Sequence, residues 1–153
     1  MTLAGSFTFA GPQAAVWDLL RDPAALAKAL PGTKTLTKTA DDRYDGVMSV
    51  SIGPVTAAEF SVTVTLKDLA PPSHLTLQIE GKGGVGSVRG SASVDLADAP
   101  NSETTMTYSS DVMVGGRIAA VGQRLIESAA KMMMRQALDA LNAELRARIK
   151  AGA

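Results

Sequence analysis

The chain has 153 residues, which is enough for one domain with a substantial hydrophobic core. It contains no cysteine, so disulfides, thiolate nucleophiles and cysteine-based metal sites are excluded. Fifteen basic residues balance fifteen acidic ones, and aromatic residues make up only 4%, so neither a nucleic-acid footprint nor a base-stacking platform is expected.

The N-terminal part of the chain predicts one short strand followed by two short helices. Residues Gly5–Ala10 alternate polar and aromatic side chains, which is typical of a strand. Pro12 suits the first turn of a helix that runs to Leu20. Asp22 and Pro23 then predict the N-cap and first position of a second helix, which the Pro31-Gly32 pair ends.

The middle of the chain predicts six further strands in an antiparallel meander. Apolar and polar residues alternate there, and turn residues separate the alternating segments. The expected strands lie within 33–40, 44–52, 60–67, 75–80, 88–96 and 106–114. The resulting seven-stranded sheet has one apolar face, which needs a cover because apolar surface is buried in stable domains.

The C-terminal part of the chain predicts one long helix over about residues 117–149. It contains no proline and only one internal glycine, Gly122. Its length would be about 50 Å. The sequence therefore predicts an α+β fold, in which residues 1–153 form a single domain and a curved sheet wraps the long helix.

Two apolar stripes run along this predicted helix at helical spacing. The first contains Ile118, Val121, Leu125, Ala129, Met132 and Gln136. The second contains Met134, Leu138, Leu141, Leu145 and Ile149. In one interpretation the first stripe packs on the sheet and the second lies outside. In the other, the second stripe contacts a second chain or another part of this chain.

A glycine-rich segment, Gly81–Gly86, matches the G-x-G-x-x-G pattern of dinucleotide-binding loops. That pattern has to open a helix in a βαβ unit, but here a strand pattern follows it. The segment is therefore predicted to be a glycine-rich hairpin at the rim of the sheet, where it could gate the interior.

Neither a catalytic nor a metal-binding set of residues is predicted. His74 is the only histidine, which excludes a multi-histidine metal site. The acidic residues Asp41, Asp42, Asp95 and Asp98 fall in turns or on the polar sheet face, where solvated charge is the simplest explanation.

The predicted inward face mixes small residues with flexible ones, and this mixture fits either a ligand cavity or a filled core. Small inward residues leave room, and methionine adapts to irregular shapes. The small residues are Gly46, Gly90, Ala92 and Ser110. The candidate lining residues are Trp17, Met48, Tyr108, Leu125, Met132 and Met133, with Tyr108 as the polar contact. The alternative is a filled core in which glycine serves only the bends of the sheet.

The sequence resembles the G-subunit family of carbon monoxide dehydrogenase over nearly its whole length. The resemblance is carried by Asp22-Pro23, Leu30-Pro31-Gly32, Gly53-Pro54-Val55 and above all residues 114–125, VGGRIAAVGQRL. It implies a helix-grip fold of the START-like, Bet v 1-like superfamily, with a hydrophobic cavity between helix and sheet. Ala29 stands at a position where the family often has cysteine.

The resemblance also implies a function. The expected protein is a non-enzymatic accessory protein that binds a quinone or lipid-like molecule and serves a molybdenum-containing carbon monoxide dehydrogenase or related hydroxylase. No catalytic residue, metal or permanent cofactor is expected. The alternatives are a homodimeric or adaptor protein that uses the second helix stripe, and a cyclase-like or hydrolase-like enzyme. No membrane span or signal peptide is expected, and the expected location is the cytoplasm, free or at the inner face of the membrane.

Overall fold

The computed structural model describes residues 1–152, which form a seven-stranded sheet, three α-helices and two short 3-10 turns. The elements in chain order are β1 (Thr2–Phe9), α1 (Gln13–Leu20), α2 (Pro23–Ala29), β2 (Thr33–Ala40), β3 (Arg43–Ile52), β4 (Val55–Ala70), β5 (His74–Gly83), β6 (Gly86–Ala99), β7 (Glu103–Gly115) and α3 (Gln123–Gly152). The 3-10 turns are Pro100–Ser102 and Arg117–Val121. The predicted fold class is confirmed.

Every neighbouring pair of strands is antiparallel, and the sheet order is β1-β7-β6-β5-β4-β3-β2. Six strands follow one another as a meander, while β1 joins the far edge beside β7. The buried hydroxyl of Ser110 on β7 donates to the carbonyl of Leu3 on β1 at 3.1 Å. This hydrogen bond helps to hold the edge strand in register.

The second helix begins as the sequence predicts. The Asp22 carboxylate accepts a hydrogen bond from the Ala24 N–H at 2.9 Å, and Pro23 occupies the first turn. Arg148 near the end of α3 forms an ion pair with the same carboxylate. The cap of α2 thus also ties this helix to the C-terminal end of α3.

The prediction of one helix from residue 117 is wrong at its N-terminal end. Residues Arg117–Val121 form a separate 3-10 turn, and Gly122 has φ 101° and ψ 144°, which no α-helix contains. Helix α3 starts at Gln123 and continues for 30 residues, about 45 Å. The Gly122 carbonyl accepts a hydrogen bond from the Ile126 N–H at 3.2 Å, so this glycine closes the first turn.

The assignment of the first stripe to the sheet holds for Ile118 and Ala129 but is wrong for Leu125 and Met132. Leu125 and Met132 are 47% and 61% exposed, whereas Leu138 and Leu145 of the second stripe are 5% and 1% exposed. A stripe drawn from residue 118 crosses the break at Gly122, and the helical phase changes there. The second stripe contacts this chain's own core, so most of the surface required by the homodimer alternative is buried.

The core has two parts, one at each end of α3. The larger part joins the C-terminal half of α3 to α1, α2 and the neighbouring ends of β1 and β5–β7, and includes Phe9, Trp17, Leu141 and Leu145. The smaller part joins Ala58, Phe60 and Ile118 near the N-terminal end of α3. The N-terminal half of the helix thus lies over the less densely filled end of the sheet.

Candidate ligand cavity

An apolar cavity of about 210 Å³ lies between the N-terminal half of α3 and the inner face of strands β3–β7. The helix contributes Ile126, Ala129, Ala130 and Met133. The rest of the lining consists of Met1, Met48, Val50, Ile52, Phe60, Val62, Ile79, Gly81, Val88, Val112, Val114 and Ile118. None of these residues has a charged or hydrogen-bonding side chain.

The space exists because small residues face each other across the helix and the sheet. On β5, Gly81 lies between Val62 of β4 and Val88 of β6. A Cβ atom placed on Gly81 would lie 3.7 Å from Val62 Cγ2 and 3.8 Å from Val88 Cβ, so a side chain is sterically possible there. On the helix, the short side chains of Ala129 and Ala130 also leave this space open. The sequence thus keeps this end of the interior hollow.

Other inward glycines have a different role, because the backbone or a neighbouring side chain already fills the space beside them. A Cβ atom on Gly46 would lie 2.3 Å from the Thr35 carbonyl oxygen, and one on Gly90 would lie 3.0 Å from that of Asp111. At these two positions glycine permits close approach of neighbouring strands. The inward face therefore combines the two alternatives, with a cavity at Gly81 and close packing at Gly46 and Gly90.

The wall at one end of the cavity is built from the glycine-rich hairpin and the 3-10 turn. The Ile118 N–H donates to the Val85 carbonyl at 2.7 Å, and the Arg117 guanidinium donates to the Gly84 carbonyl at 2.8 Å. Ile118 itself is buried and lines the cavity. The glycine-rich segment forms the predicted hairpin, since Gly83 pairs with Gly86. The two hydrogen bonds hold this hairpin against the 3-10 turn.

The six predicted lining residues separate into four groups. Met48 and Met133 line the cavity. Trp17 is buried in the larger core, with the Arg21 guanidinium 5.8 Å from its ring centroid. Tyr108 lines a separate cleft beside β1.

The remaining two predicted residues, Leu125 and Met132, do not point into the cavity. Both are exposed on α3 and neither belongs to the lining. Leu125 lies instead against the β3–β4 turn, where its Cδ1 would be 3.3 Å from a Cβ atom on Gly53. The expectation that these side chains face the sheet fails because the helical phase changes at Gly122.

The largest group in the lining consists of branched aliphatic residues of the strands, which the sequence alone did not single out. Val50, Ile52, Val62 and Ile79 stand on the inward side of an ordinary two-residue alternation. Combining that alternation with a meander register would have grouped them at one end of the sheet. A search for unusual residue types ignores them because valine and isoleucine are what any buried strand contains.

A hydroxyl, an imidazole and a carboxylate also form a short chain, outside the cavity. The His74 Nδ1 atom lies 2.7 Å from an Asp95 carboxylate oxygen, and its Nε2 atom lies 3.3 Å from the Thr76 hydroxyl. His74 and Asp95 face each other across β5 and β6. Neither the apolar cavity under α3 nor the cleft beside β1 is lined by these three residues.

Neither metal-binding nor membrane-spanning features are found within the described part of the chain. Residues 1–152 contain no group of three or more His, Asp or Glu side chains that could hold a metal ion. The helices over the same range include none that is long and apolar enough to cross a membrane.

Solved structures share this fold over nearly the full chain. A conserved protein from Geobacillus kaustophilus is 29% identical, with a TM-score of 0.89 over 95% of both chains. The Zhui aromatase/cyclase from Streptomyces sp. R1128 is 14% identical, with a TM-score of 0.74 over 100% of this chain and 98% of its own. A START superfamily protein from Mycobacterium smegmatis is 12% identical, with a TM-score of 0.69 over 95% and 97%.

Sequence comparison gives the family. No curated protein matches the chain significantly. The model of a single family, described as the G-subunit of carbon monoxide dehydrogenase (CoxG), matches residues 5–146, which span almost the whole sheet and most of α3. The chain therefore belongs to the G-subunit (CoxG) family of carbon monoxide dehydrogenase.

Proposed function

We propose that this chain is an accessory protein that holds an apolar molecule of the quinone or lipid class in the cavity under α3. The observation that supports this most directly is an apolar space of about 210 Å³ without a single polar side chain in its lining. Ligand pockets are concave and mostly apolar, and an apolar cavity of roughly 150 Å³ is enough to bind benzene.

The size and chemistry of the cavity limit what part of a ligand it accepts. The volume suits a fused aromatic ring system or a short stretch of alkyl chain, but not a complete long-chain lipid. Since no side chain in the lining is charged, a charged head group would lose its hydration without a side-chain partner to compensate. The proposed ligand therefore enters with its apolar part and leaves any charged part outside.

The cavity offers no support for the enzyme alternative. Its lining contains no histidine, carboxylate or hydroxyl group that could transfer a proton to or from a bound molecule. A cyclase appears among the structures with the same fold, but at 14% identity that likeness concerns the fold alone.

A pair of matched helix variants tests the proposed cavity. Ala130 lines the cavity, whereas Ala140 is exposed on the same helix. We expect Ala130→Phe to weaken binding of 2-methyl-1,4-naphthoquinone, measured by isothermal titration calorimetry, by about tenfold or more because the ring fills the space. Ala140→Phe adds the same side chain outside and should leave the affinity unchanged.

A second variant on the sheet separates loss of binding from loss of folding. Gly81→Leu fills the same space from β5, and thermal unfolding of each variant shows whether it is folded. If both cavity variants fold and bind the naphthoquinone as tightly as the parent, the cavity is not the binding site. If the parent itself binds neither this quinone nor an alkyl probe such as decane, the proposed function is wrong.

The proposed partner is a molybdenum-containing carbon monoxide dehydrogenase or a related hydroxylase. The family description supports this partner, because it names the family after one of the subunits of that enzyme. An affinity-tagged full chain, expressed in its source cells, should retain molybdenum in stoichiometric proportion after purification. Elemental analysis that finds no molybdenum under the growth conditions that induce the enzyme would contradict this assignment.

A further inference from the structure

A second concave site, the β1 cleft, lies on the other side of α3. It has a volume of about 170 Å³ and is bounded by the edge strand β1, by Tyr108 of β7 and by the middle of α3. Its lining consists of Leu3, Ala4, Ser6, Phe7, Tyr108, Lys131, Met134, Arg135 and Leu138. None of these residues lines the apolar cavity under α3.

The floor of the β1 cleft is apolar and its rim carries hydrogen-bond donors. Phe7, Met134 and Leu138 provide apolar surface continuous with the larger core. The Tyr108 side chain extends across Gly5, since a Cβ atom on that glycine would lie 2.7 Å from the Tyr108 hydroxyl oxygen. Because Gly5 has no side chain, the Tyr108 hydroxyl can lie directly over the edge strand β1.

The charged side chains that line the β1 cleft are both positive. Lys131 and Arg135 stand four residues apart on α3, which brings them to neighbouring positions on one face of the helix. Their carboxylate partners, Glu127 at 3.2 Å and Asp139 at 3.4 Å, do not belong to the lining. These side-chain pairs are exposed, and exposed ion pairs contribute little to stability, so either cation can turn to an incoming anion at small cost.

From this combination we infer that the β1 cleft binds a small amphiphile with a single carboxylate head, such as a medium-chain fatty acid. The alkyl part lies on Phe7, Met134 and Leu138. The carboxylate accepts hydrogen bonds from Arg135, Lys131 and the Tyr108 hydroxyl, and charge-assisted bonds of this kind are stronger than neutral ones. The site is separate from the proposed quinone or lipid cavity and does not depend on it.

The test compares three ligands that share one alkyl chain, namely octanoate, octanol and octylamine. Titration calorimetry with the full-length Ala130→Phe variant, whose apolar cavity under α3 is filled, should give measurable binding for octanoate, binding at least tenfold weaker for octanol, and none for octylamine. Inorganic phosphate serves as a probe of charge alone and should bind more weakly than octanoate. Equal affinity for octanoate and octanol, or for octanoate and phosphate, would overturn the proposal.

Variants then assign the binding to the β1 cleft. Replacing both cations, Lys131→Ala with Arg135→Ala, should weaken octanoate binding by about tenfold or more, and Tyr108→Phe by a smaller factor. In the cavity variant Ala130→Phe, octanoate should still bind at the β1 cleft, because Ala130 is not part of the cleft. If Ala130→Phe abolishes octanoate binding while the cation variants do not, octanoate occupies the other cavity and the inference is wrong.

Discussion

Asp45 on the outer face of β3 is the most strongly hydrogen-bonded carboxylate described by the structure. The Arg43 guanidinium donates to it from 3.0 and 3.2 Å, and the hydroxyl groups of Thr39 and Thr63 donate from 2.7 and 2.8 Å. The Arg43 hydrogen bonds, followed by those from the two threonines, hold the pKa of Asp45 well below its usual range. The donors come from β2, β3 and β4, so this side chain joins three strands.

The lowered pKa of Asp45 predicts a specific dependence of stability on pH. The carboxylate's contribution is fully present above its unfolded-state pKa of about 4 and is lost progressively as the pH falls below that value. Asp45→Asn should therefore be less stable than the parent at pH 7, and the difference should shrink between pH 4 and pH 2. Urea unfolding at several pH values measures this difference.

The exposed Asp41 lies in the neighbouring turn and provides the control for net charge. Asp41→Asn makes the same change of charge without removing the hydrogen bonds to Arg43, Thr39 and Thr63. A difference between Asp45→Asn and the parent that stays constant from pH 7 to pH 2 would contradict the assignment of that stability to the ionised carboxylate.

At the scale of elements, the strands were predictable and the start of the long helix was not. Alternating residues specify a half-buried strand directly, and turn residues such as Gly53-Pro54 separate the strands, so all seven are predictable from the sequence. In the sequence, Gly122 looks like a single glycine that a helix can tolerate. In the structure its φ of 101° shows that it lies outside the helix. Its conformation depends on how the 3-10 turn packs against the glycine-rich hairpin, which is a tertiary contact.

The phase of helix α3 decides which site residues could be predicted. Met133 and Met134 are neighbours in sequence, yet the first lines the cavity and the second lines the β1 cleft. An error of one residue in phase moves a side chain by about 100° around the helix. Met48 lies on a strand, where the two-residue period leaves only two directions, and the prediction that it faces inward agrees with its place in the lining.

For the whole molecule, the two parts of the core give the two ends of α3 different surroundings. In segment 137–145, Leu138, Leu141 and Leu145 belong to the larger core together with residues of α1, α2 and the sheet. In segment 126–133, the inward residues Ile126, Ala129, Ala130 and Met133 face the cavity and have fewer atoms to pack against. A cavity forfeits dispersion contacts along its walls, so its surroundings open more readily than a filled core.

This difference predicts the hydrogen-exchange pattern of the helix. Amides of residues 126–133 should exchange about tenfold or more faster than those of 137–145, equivalent to an opening free energy lower by roughly 1.4 kcal/mol or more. Adding 2-methyl-1,4-naphthoquinone should slow exchange at 126–133, because a ligand that fills the cavity restores the missing contacts. Mass spectrometry of peptides from the two segments measures both effects.

Two controls distinguish cavity filling from ordinary fraying of a helix end. Residues 146–150 lie near the other end of α3 and away from the cavity, so the quinone should leave their exchange unchanged. In Ala130→Phe the added ring occupies the space, so residues 126–133 should be protected without ligand and should respond little to it. Uniform protection along the helix, or a response to quinone that survives in Ala130→Phe, would show that the cavity does not control the stability of this end.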